Sequence, residues 1–592
     1  MGWVTDKVVV HAEEPWNDHW LPFTNLDLLV PPFDVGYFFC YKKPSHGSFP
    51  NLLNTLKASL SRALSLYYPL AGEILWNAAA GENQFRCNNR GIDFIEAVAD
   101  VELKEINLYN PDESIEGKLM PKKLHGVLAI QEMGIGDNYF FVKVTDKVVV
   151  HAEEPWNDHW LPFTNLDLLV PPFDVGSFFC YKKPSHGSFP DLLNTLKASL
   201  SRALSLYYPL AGEILWNPAA EENQFRCNNR GIDFIEAVAD VELKELNLYN
   251  PDESIEGKLM PKKLHGVLAI QVTELKCGGI VIGCMFDHRA VDGYSANMFF
   301  ASWADIARSE TPSMIPSFKR SILNPRSPTT YSSSINDVFA LFEPPTKPDL
   351  EQNTRNGDHA LINRVYYIEG EQLNKLQLVA SENGQRRSKL EAFTSFLWKI
   401  VALSMEDSGN HNKLCNVALA VDGRRRLSEG DGEEKEKLMA SHFGNVLSMP
   451  SGSKTSQELK EMSLSTIATD VHEFLQTATT KDHFLDLIDW VEERRSQPLV
   501  AIAFASKEMS VMVSSGTRFH TNGDMDFGWG KVVFGSCHVP SGREDCYVST
   551  LPSPTNNNDW VVYMHLPMKH MNYIESHAGH MFKPLDSDYL EI

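Results

Sequence analysis

One segment occurs twice in the first half of the chain, and this repeat limits the possible folds more than any other feature. Val4–Gln131 recurs as Val144–Gln271 at a constant offset of 140. The copies differ only at Tyr37/Ser177, Asn51/Asp191, Ala78/Pro218, Gly81/Glu221 and Ile106/Leu246. The units of solenoid repeats are shorter than this segment. The sequence therefore predicts a duplicated partial domain at the N-terminus.

A chemical signal follows the second copy. The apolar run Gly279–Met285 predicts a buried strand, and His288 and Asp292 come directly after it. A histidine at such a position can take a proton from a hydroxyl near neutral pH, because its ordinary pKa is about 6.5. The sequence therefore predicts His288 as the general base of an acyl transfer.

The same spacing of histidine and aspartate occurs again at His520 and Asp524. This second pair lies in a polar, glycine-containing stretch that indicates a loop. It lacks the supporting context of the first pair, in which a buried apolar run leads directly to the histidine. We therefore expect no catalytic role for His520.

A second signal is the segment Asp526-Phe527-Gly528-Trp529-Gly530. Its first three residues occur in protein kinases, but the chain has neither a glycine-rich phosphate loop nor a His-Arg-Asp catalytic loop before them. Two glycines around a tryptophan favour a tight loop whose role is structural. A direct catalytic role is the weaker alternative.

The ordered pair of motifs resembles the signatures of the BAHD family of plant CoA-dependent acyltransferases. Further matches are Tyr207–Gly212, Cys227–Gly231, Asp422–Arg424 and Phe443–Asn445. Within that family the chain looks most like the coniferyl alcohol acyltransferases, on the stretches Trp160–Leu169, Lys276–Ile280, Ser514–Phe519 and Asp559–Leu566.

The resemblance implies an α/β fold of two domains, similar to chloramphenicol acetyltransferase, with mixed sheets flanked by helices. Alternating helix and strand patterns independently favour α/β layers. The expected segments are 1–132, the extra partial copy; 133–345, the domain with His288 and the start of a crossover; and 346–592, the domain with Asp526–Gly530. Residues Met133–Lys143 resemble the start of an ordinary family member.

Particular helices can also be predicted. Ser188 and Pro190 are typical of a helix start, and Leu192, Leu196, Leu200 and Leu204 then form an apolar stripe. Helical patterns also run through Lys389–Ser404 and Gln457–Arg495.

Site roles follow from the resemblance. The family's matching aspartate turns away from the substrate and pairs with an arginine, for which Arg424 is our first choice, so that Asp292 supports the site together with Asp526–Gly530. Thr164, Ser514 and Ser515 are expected in the substrate pocket. For Thr164, a capping or turn role is an equal alternative.

The net charge of −23 requires a local basic cluster for any CoA phosphate, and Arg386–Lys389 offers one, with Ser388 and Lys389 as predicted contacts. The same charge argues against nucleic-acid binding. We expect no metal, because His288 and Asp292 have no apparent third and fourth ligand.

The predicted function is therefore that of an enzyme, an acyl-CoA-dependent O-acyltransferase (EC 2.3.1). The expected co-substrate is acetyl-CoA, and the expected acceptor is a phenylpropanoid alcohol such as coniferyl alcohol. One alternative is a hydroxycinnamoyl-CoA transferase with shikimate, quinate or an amine as acceptor. Another is an inactive or binding-only product of the partial duplication.

Composition places the protein in the cytosol. No apolar stretch is long enough to span a membrane. Nine cysteines without a Cys-x-x-Cys motif indicate free thiols in a reducing compartment. We expect a monomer.

Overall fold

The computed structural model describes residues 2–24, 27, 37–41, 49–99, 126–135, 140, 142–341, 360–405, 413–495, 497, 499–504, 508–517, 525–540 and 545–592. The chain divides into two compact units. The first is formed by Met1–Lys143 with Ala239–Val241, and the second by Val144–Val238 with Glu242–Ile592. Residues Met133–Lys143 thus belong to the unit that holds the first copy.

The described residues of the first unit form two small sheets and one long helix. One sheet has the order β1-β5-β6, from β1 (Gly2–Val10), β5 (Ile92–Ala99) and β6 (Ala129–Ile135). The other has the order β2-β4-β3, from β2 (His19–Leu21), β3 (Glu73–Asn77) and β4 (Glu82–Cys87). Helix α1 (Phe49–Leu66) buries Leu53 and Leu64 in the core of this unit.

A six-stranded sheet organises the first part of the second unit. Its strands are β7 (Val142–Val150), β9 (Asp174–Tyr181), β12 (Ile232–Ala239), β13 (Leu268–Leu275), β14 (Ile280–Asp287) and β23 (Val532–His538), in the order β23-β9-β14-β13-β12-β7. A smaller sheet of order β10-β11-β8 consists of β8 (His159–Leu161), β10 (Glu213–Asn217) and β11 (Glu222–Cys227).

Two helices contribute to the core beside the six-stranded sheet. Helix α2 (Phe189–Leu206) begins as predicted, because Ser188 caps it and Asp191 completes a capping box. Its predicted stripe Leu192, Leu196, Leu200 and Leu204 is buried. The second core helix, α4 (Gly293–Ala307), follows β14 and packs against α2 through the Trp303 indole. A short helix, α3 (Pro251–Ser254), precedes β13.

The second large sheet is mixed and has seven strands. They are β16 (Leu361–Ile368), β17 (Leu414–Leu419), β20 (Ser451–Thr455), β22 (Met509–Ser515), β24 (Cys546–Pro552), β25 (Trp560–Pro567) and β26 (Lys583–Pro584), in the order β20-β17-β22-β24-β25-β16-β26. The pairs β17–β22 and β22–β24 are parallel.

Helices cover this sheet and fill the space beside it. They are α5 (Gly370–Ala380), α6 (Lys389–Leu403), α7 (Arg424–Ser428), α8 (Glu433–Ala440), α9 (Ser456–Glu461), α10 (Leu464–Thr477), α11 (Lys481–Glu492) and α12 (Met568–Ala578). The remaining short strands are β15 (Phe339–Leu341), β18 (Val421–Asp422), β19 (Leu447–Ser448) and β21 (Leu499–Ala501). The helical patterns predicted over Gln457–Arg495 correspond to three successive helices, because Ser463 and Thr480 each cap a new helix.

Strand β23 connects the two parts of the second unit. It lies far beyond residue 346 in sequence, yet it pairs antiparallel with β9 at the edge of the six-stranded sheet. A boundary drawn at residue 345 therefore leaves one strand of the first sheet in the second segment.

Within the described ranges, no helix is long and apolar enough to cross a bilayer. The same ranges contain no group of three or more His, Cys, Asp or Glu side chains arranged to hold a metal ion.

The two copies fold differently over one nearly identical stretch. In the second unit, β9 lies between β14 and β23, and Phe179 is 5% exposed. In the first unit, residues 37–41 have no regular secondary structure, and the corresponding Phe39 is 75% exposed. The reason is that both neighbours of β9 are encoded after the second copy ends at Gln271. Among the residues of the first unit that the structure describes, no strand corresponds to either of them.

This difference predicts different outcomes for one substitution made in two nearly identical sequence contexts. Phe179→Ala should lower the free energy of unfolding by about 3–5 kcal/mol, because it leaves a cavity in a packed core. Phe39→Ala should change it by less than about 0.5 kcal/mol, as for other exposed positions. Urea unfolding of both variants checks this, and equal losses would contradict the structure of residues 37–41.

Candidate active site

His288 follows the most deeply buried strand of the six-stranded sheet. All eight residues of β14 are buried. The His288 backbone N–H donates to the Phe173 carbonyl oxygen at 2.9 Å, and the two aromatic rings lie 4.9 Å apart between centroids. The His288 side chain is partly exposed. The imidazole is thus attached to the end of a buried strand, with its Nδ1 buried and the residue as a whole partly exposed.

Asp292 points into a buried network of donors. Its Oδ1 accepts from the Ser295 N–H at 2.8 Å, which caps α4. Arg424 donates from Nη1 to Oδ2 at 2.8 Å and from Nη2 to Oδ1 at 3.2 Å. The Val446 N–H also donates to Oδ2, at 3.2 Å. Both carboxylate oxygens are occupied by these donors, so the geometry is that of a structural brace and differs from a Ser-His-Asp triad.

The charge state of this pair follows from its surroundings. Burial by itself would raise the pKa of Asp292, but the charge and hydrogen bonds of Arg424 and the two backbone donors lower it below the ordinary value. The Arg424 guanidinium is 3% exposed, and it also contacts Asp422 and the Tyr294 ring. The Asp292 carboxylate is therefore ionised, and it lies at the end of the loop that begins with His288.

The segment Asp526–Gly530 forms a tight turn that leads into β23. Asp526 Oδ1 accepts from the N–H groups of Gly528 and Gly530 at 2.8 and 3.0 Å. Both glycines have positive φ, 101° and 137°, which disfavours any other residue. The Arg308 side chain donates to the Asp526 carbonyl.

The two aromatic rings of this turn belong to the hydrophobic core beside the six-stranded sheet. Phe527 is buried in that core, and the half-buried Trp529 packs against it. Phe527 contacts Trp303 edge to face at 4.8 Å, and Trp529 stacks on Phe527 at 5.3 Å. This packing is what the structural interpretation of the motif requires.

The predicted pocket residues fall into two separate groups. Ser514 and Ser515 lie at the end of β22, where the Ser514 hydroxyl is 2.6 Å from that of Tyr547. Thr164 is buried in the second unit, and its hydroxyl donates to Asp167 Oδ2 at 2.8 Å while accepting from the Asp167 N–H. Both bonding directions of Thr164 are therefore used in a turn, which is its alternative predicted role.

The predicted CoA contacts lie at a helix start. Ser388 is the N-cap of α6 and forms a capping box with Glu391. Ser388 is exposed and Lys389 half-buried. Arg387 is buried and hydrogen-bonded to Gln385 and Thr469, so of the two arginines only Arg386 is exposed.

His520 and Asp524 lie outside the described residues. Two neighbours of His288 were not predicted from the sequence, namely Phe173 and Asn445. Asn445 is in the segment Phe443–Asn445 that carries the family resemblance, which was the available signal. Phe173 follows Pro171-Pro172, and its position beside His288 depends on the pairing of β9 with β14.

Comparisons with known proteins agree with this geometry. A family described as the Transferase family matches residues 3–131 and 140–581. Shikimate O-hydroxycinnamoyltransferase of Nicotiana tabacum is 27% identical over 450 residues, which cover 73% of this chain and 98% of that protein. Rosmarinate synthase of Plectranthus scutellarioides is 28% identical over 453 residues, covering 73% and 98%.

Solved structures show the same fold. The crystal structure of vinorine synthase superposes with a TM-score of 0.56 at 19% identity, covering 76% of this chain and 100% of that one. TRI101 of F. graminearum with coenzyme A and T-2 mycotoxin gives a TM-score of 0.58 at 13% identity, covering 71% and 98%. The predicted two-domain α/β fold is confirmed.

The buried pair predicts a large loss of stability when it is broken. Asp292→Ala leaves Arg424 buried beside an empty position, which typically costs about 3–5 kcal/mol. A matched control is Asp158→Ala, because the Asp158–Arg226 pair is largely exposed and such pairs contribute about 0–1 kcal/mol. Urea unfolding measures both. An Asp292→Ala variant as stable as wild type would contradict the structural role.

Proposed function

The chain belongs to the Transferase family of BAHD acyl-CoA acyltransferases. We propose that it transfers an acetyl group from acetyl-CoA to the hydroxyl of a phenylpropanoid alcohol such as coniferyl alcohol. His288 is the general base in this proposal. The observation that carries this proposal is a partly exposed histidine at the end of a buried strand, beside a carboxylate whose two oxygens are bonded to Arg424 and to backbone N–H groups.

In the proposed reaction the acceptor oxygen attacks the thioester carbonyl carbon. The new C–O bond forms as the C–S bond breaks, and the ester and free CoA are the products. His288 accepts the hydroxyl proton during attack and returns it to the departing thiolate. Such positioned acid–base catalysis contributes about 10²- to 10⁴-fold. The scheme requires no covalent acyl-enzyme and no metal.

The acceptor class is supported by the surroundings of His288. The Phe173 ring lies 4.9 Å from the imidazole and is partly exposed, so an apolar wall stands next to the reacting group. An aromatic alcohol can cover such a surface more favourably than a polyhydroxylated acceptor. The sequence Ser514-Ser515-Gly516 has no bulky side chain in the last position, which leaves room for a ring.

For the acyl donor, we propose that Lys389 and Arg386 bind CoA phosphate. Both are basic side chains near the start of α6, where helix N–H groups also favour anions. The preference for acetyl rests on the resemblance to coniferyl alcohol acyltransferases. We further propose a monomer in the cytosol, which the nine free cysteines support.

A second candidate is a hydroxycinnamoyl-CoA transferase. It is favoured by the similarity of the chain to proteins with such activities. They include a shikimate O-hydroxycinnamoyltransferase and the anthranilate N-benzoyltransferase protein 3 of Dianthus caryophyllus. An alcohol or an amine is then the acceptor. The inactive alternative differs from both because it predicts no turnover of any acyl-CoA.

His288→Ala should reduce kcat by at least about 10²-fold, the lower end of the usual acid–base contribution. The imidazole does chemistry and little packing, so the thermal unfolding midpoint should stay near that of wild type. His520→Ala is the matched control and should retain full activity. A loss below about tenfold in His288→Ala, or an equal loss in His520→Ala, would overturn the assignment of the base.

Substrate profiling separates the candidate functions. Purified full-length protein should acetylate coniferyl alcohol with acetyl-CoA at a kcat/KM at least about tenfold above that for p-coumaroyl-CoA with shikimate, a difference of about 1.4 kcal/mol in transition-state binding. Products are identified by chromatography and mass. The reverse preference would favour the hydroxycinnamoyl transferase. Folded protein that turns over neither donor with alcohols or amines would refute both.

A further inference from the structure

Asn445 lies against the main chain of the His288 loop. The residue is fully buried. Its side-chain Nδ2 donates to the carbonyl oxygens of His288 and Arg289, each at 3.0 Å. One amide group thus holds two successive peptide units, beginning with that of the proposed base. Asn445 takes no direct part in the proposed attack or proton transfer.

The rest of the loop is anchored mainly at its two ends. At the start, His288 donates to the Phe173 carbonyl, and at the end Asp292 is paired with Arg424. Between these points, the Ala290 and Val291 N–H groups bond to the carbonyls of Asp287 and His288. Those are turn bonds within the loop itself. Asn445 ties the middle of the loop to another part of the chain.

Asn445 is itself fixed by a buried carboxylate. Asp167 Oδ1 accepts from the Asn445 N–H at 2.7 Å and from Nδ2 at 3.3 Å. Arg320 lies 3.5 Å from the other oxygen of Asp167. Nδ2 therefore faces three acceptors. The reversed amide would direct Oδ1 at two carbonyls and a carboxylate, so only the observed orientation is compatible with its surroundings.

The preceding residue has to be glycine for this approach. Gly444 has a φ of +148°, and a Cβ there would lie 2.8 Å from Arg320 Nη1 and 3.1 Å from Asp167 Oδ1. Its carbonyl also accepts from Arg424 Nη2 at 2.8 Å. The segment that carries Asn445 is therefore held by the same arginine that pairs with Asp292.

We propose that Asn445 is a positioning residue for acyl transfer, which sets the direction of the His288 imidazole through the His288 and Arg289 carbonyls. This inference rests on the proposed role of His288 as the base. Catalysis depends steeply on such geometry, since a misplacement of about 1 Å in a catalytic group can cost about 10²-fold. Substrate binding depends on other groups and should change little.

The experiment compares two buried asparagines. Asn416 is 5% exposed, and its Nδ2 also donates two bonds, one to the Ser510 hydroxyl within the seven-stranded sheet and one to the Ala503 carbonyl. Asn416→Ala therefore reports the loss of a buried amide away from His288. Asn445→Ala should lower kcat by about 10- to 100-fold, with the KM for acyl-CoA within about twofold of wild type. Asn416→Ala should keep the wild-type kcat.

The wild type and both variants are assayed at one temperature below all three thermal unfolding midpoints, so that each protein is folded and the kcat values can be compared. If Asn445→Ala does not fold, Asn445→Ser replaces it, because its shorter side chain also lacks the amide that bonds the two carbonyls but keeps a polar group in the buried site. The same fall in kcat is expected. Equal kcat values in the Asn445 and Asn416 variants, or a change confined to KM, would overturn the positioning role. A wild-type protein without turnover would instead refute the proposed function.

Discussion

The buried ion pair between Asp292 and Arg424 is the interaction on which the site depends. It joins the loop after β14 to α7, more than a hundred residues later in the chain. Desolvating two charges is costly, and here good geometry and further hydrogen bonds from Ser295 and Val446 offset that cost. The same carboxylate begins α4. One residue therefore determines where the helix starts, where Arg424 lies and which way the His288 loop leaves the sheet.

The duplicated segment shows how far a local sequence determines structure. Phe178–Tyr181 and Phe38–Tyr41 have the same four residues, but only the first set forms part of a strand. A β-strand needs partners for its backbone N–H and C=O groups, and for β9 these come from β14 and β23. The sequence of a strand is therefore an incomplete description of it when the neighbouring strands are encoded elsewhere.

This principle separates what could be predicted from what could not. The strand before His288 and the start of α2 depend on local apolar runs and on the Ser188 cap, and both were predictable. The Arg424 partner followed from family resemblance. The contacts of Phe173 and Asn445 with the His288 loop depend on segments far apart in sequence, for which local patterns carry no information. The helical pattern over Gln457–Arg495 was predictable, whereas its division at Ser463 depends on a cap inside that pattern.

In the proposed function, the network around His288 positions the imidazole, and the imidazole itself performs the proton transfer. Chemical rescue tests it most directly. Added imidazole should restore acyl transfer to His288→Gly with saturable concentration dependence, because the surrounding network remains to receive the ring. It should not restore activity to Asp292→Ala, where the imidazole is present and the support is lost. A folded His288→Gly variant whose rate is independent of imidazole would contradict the account.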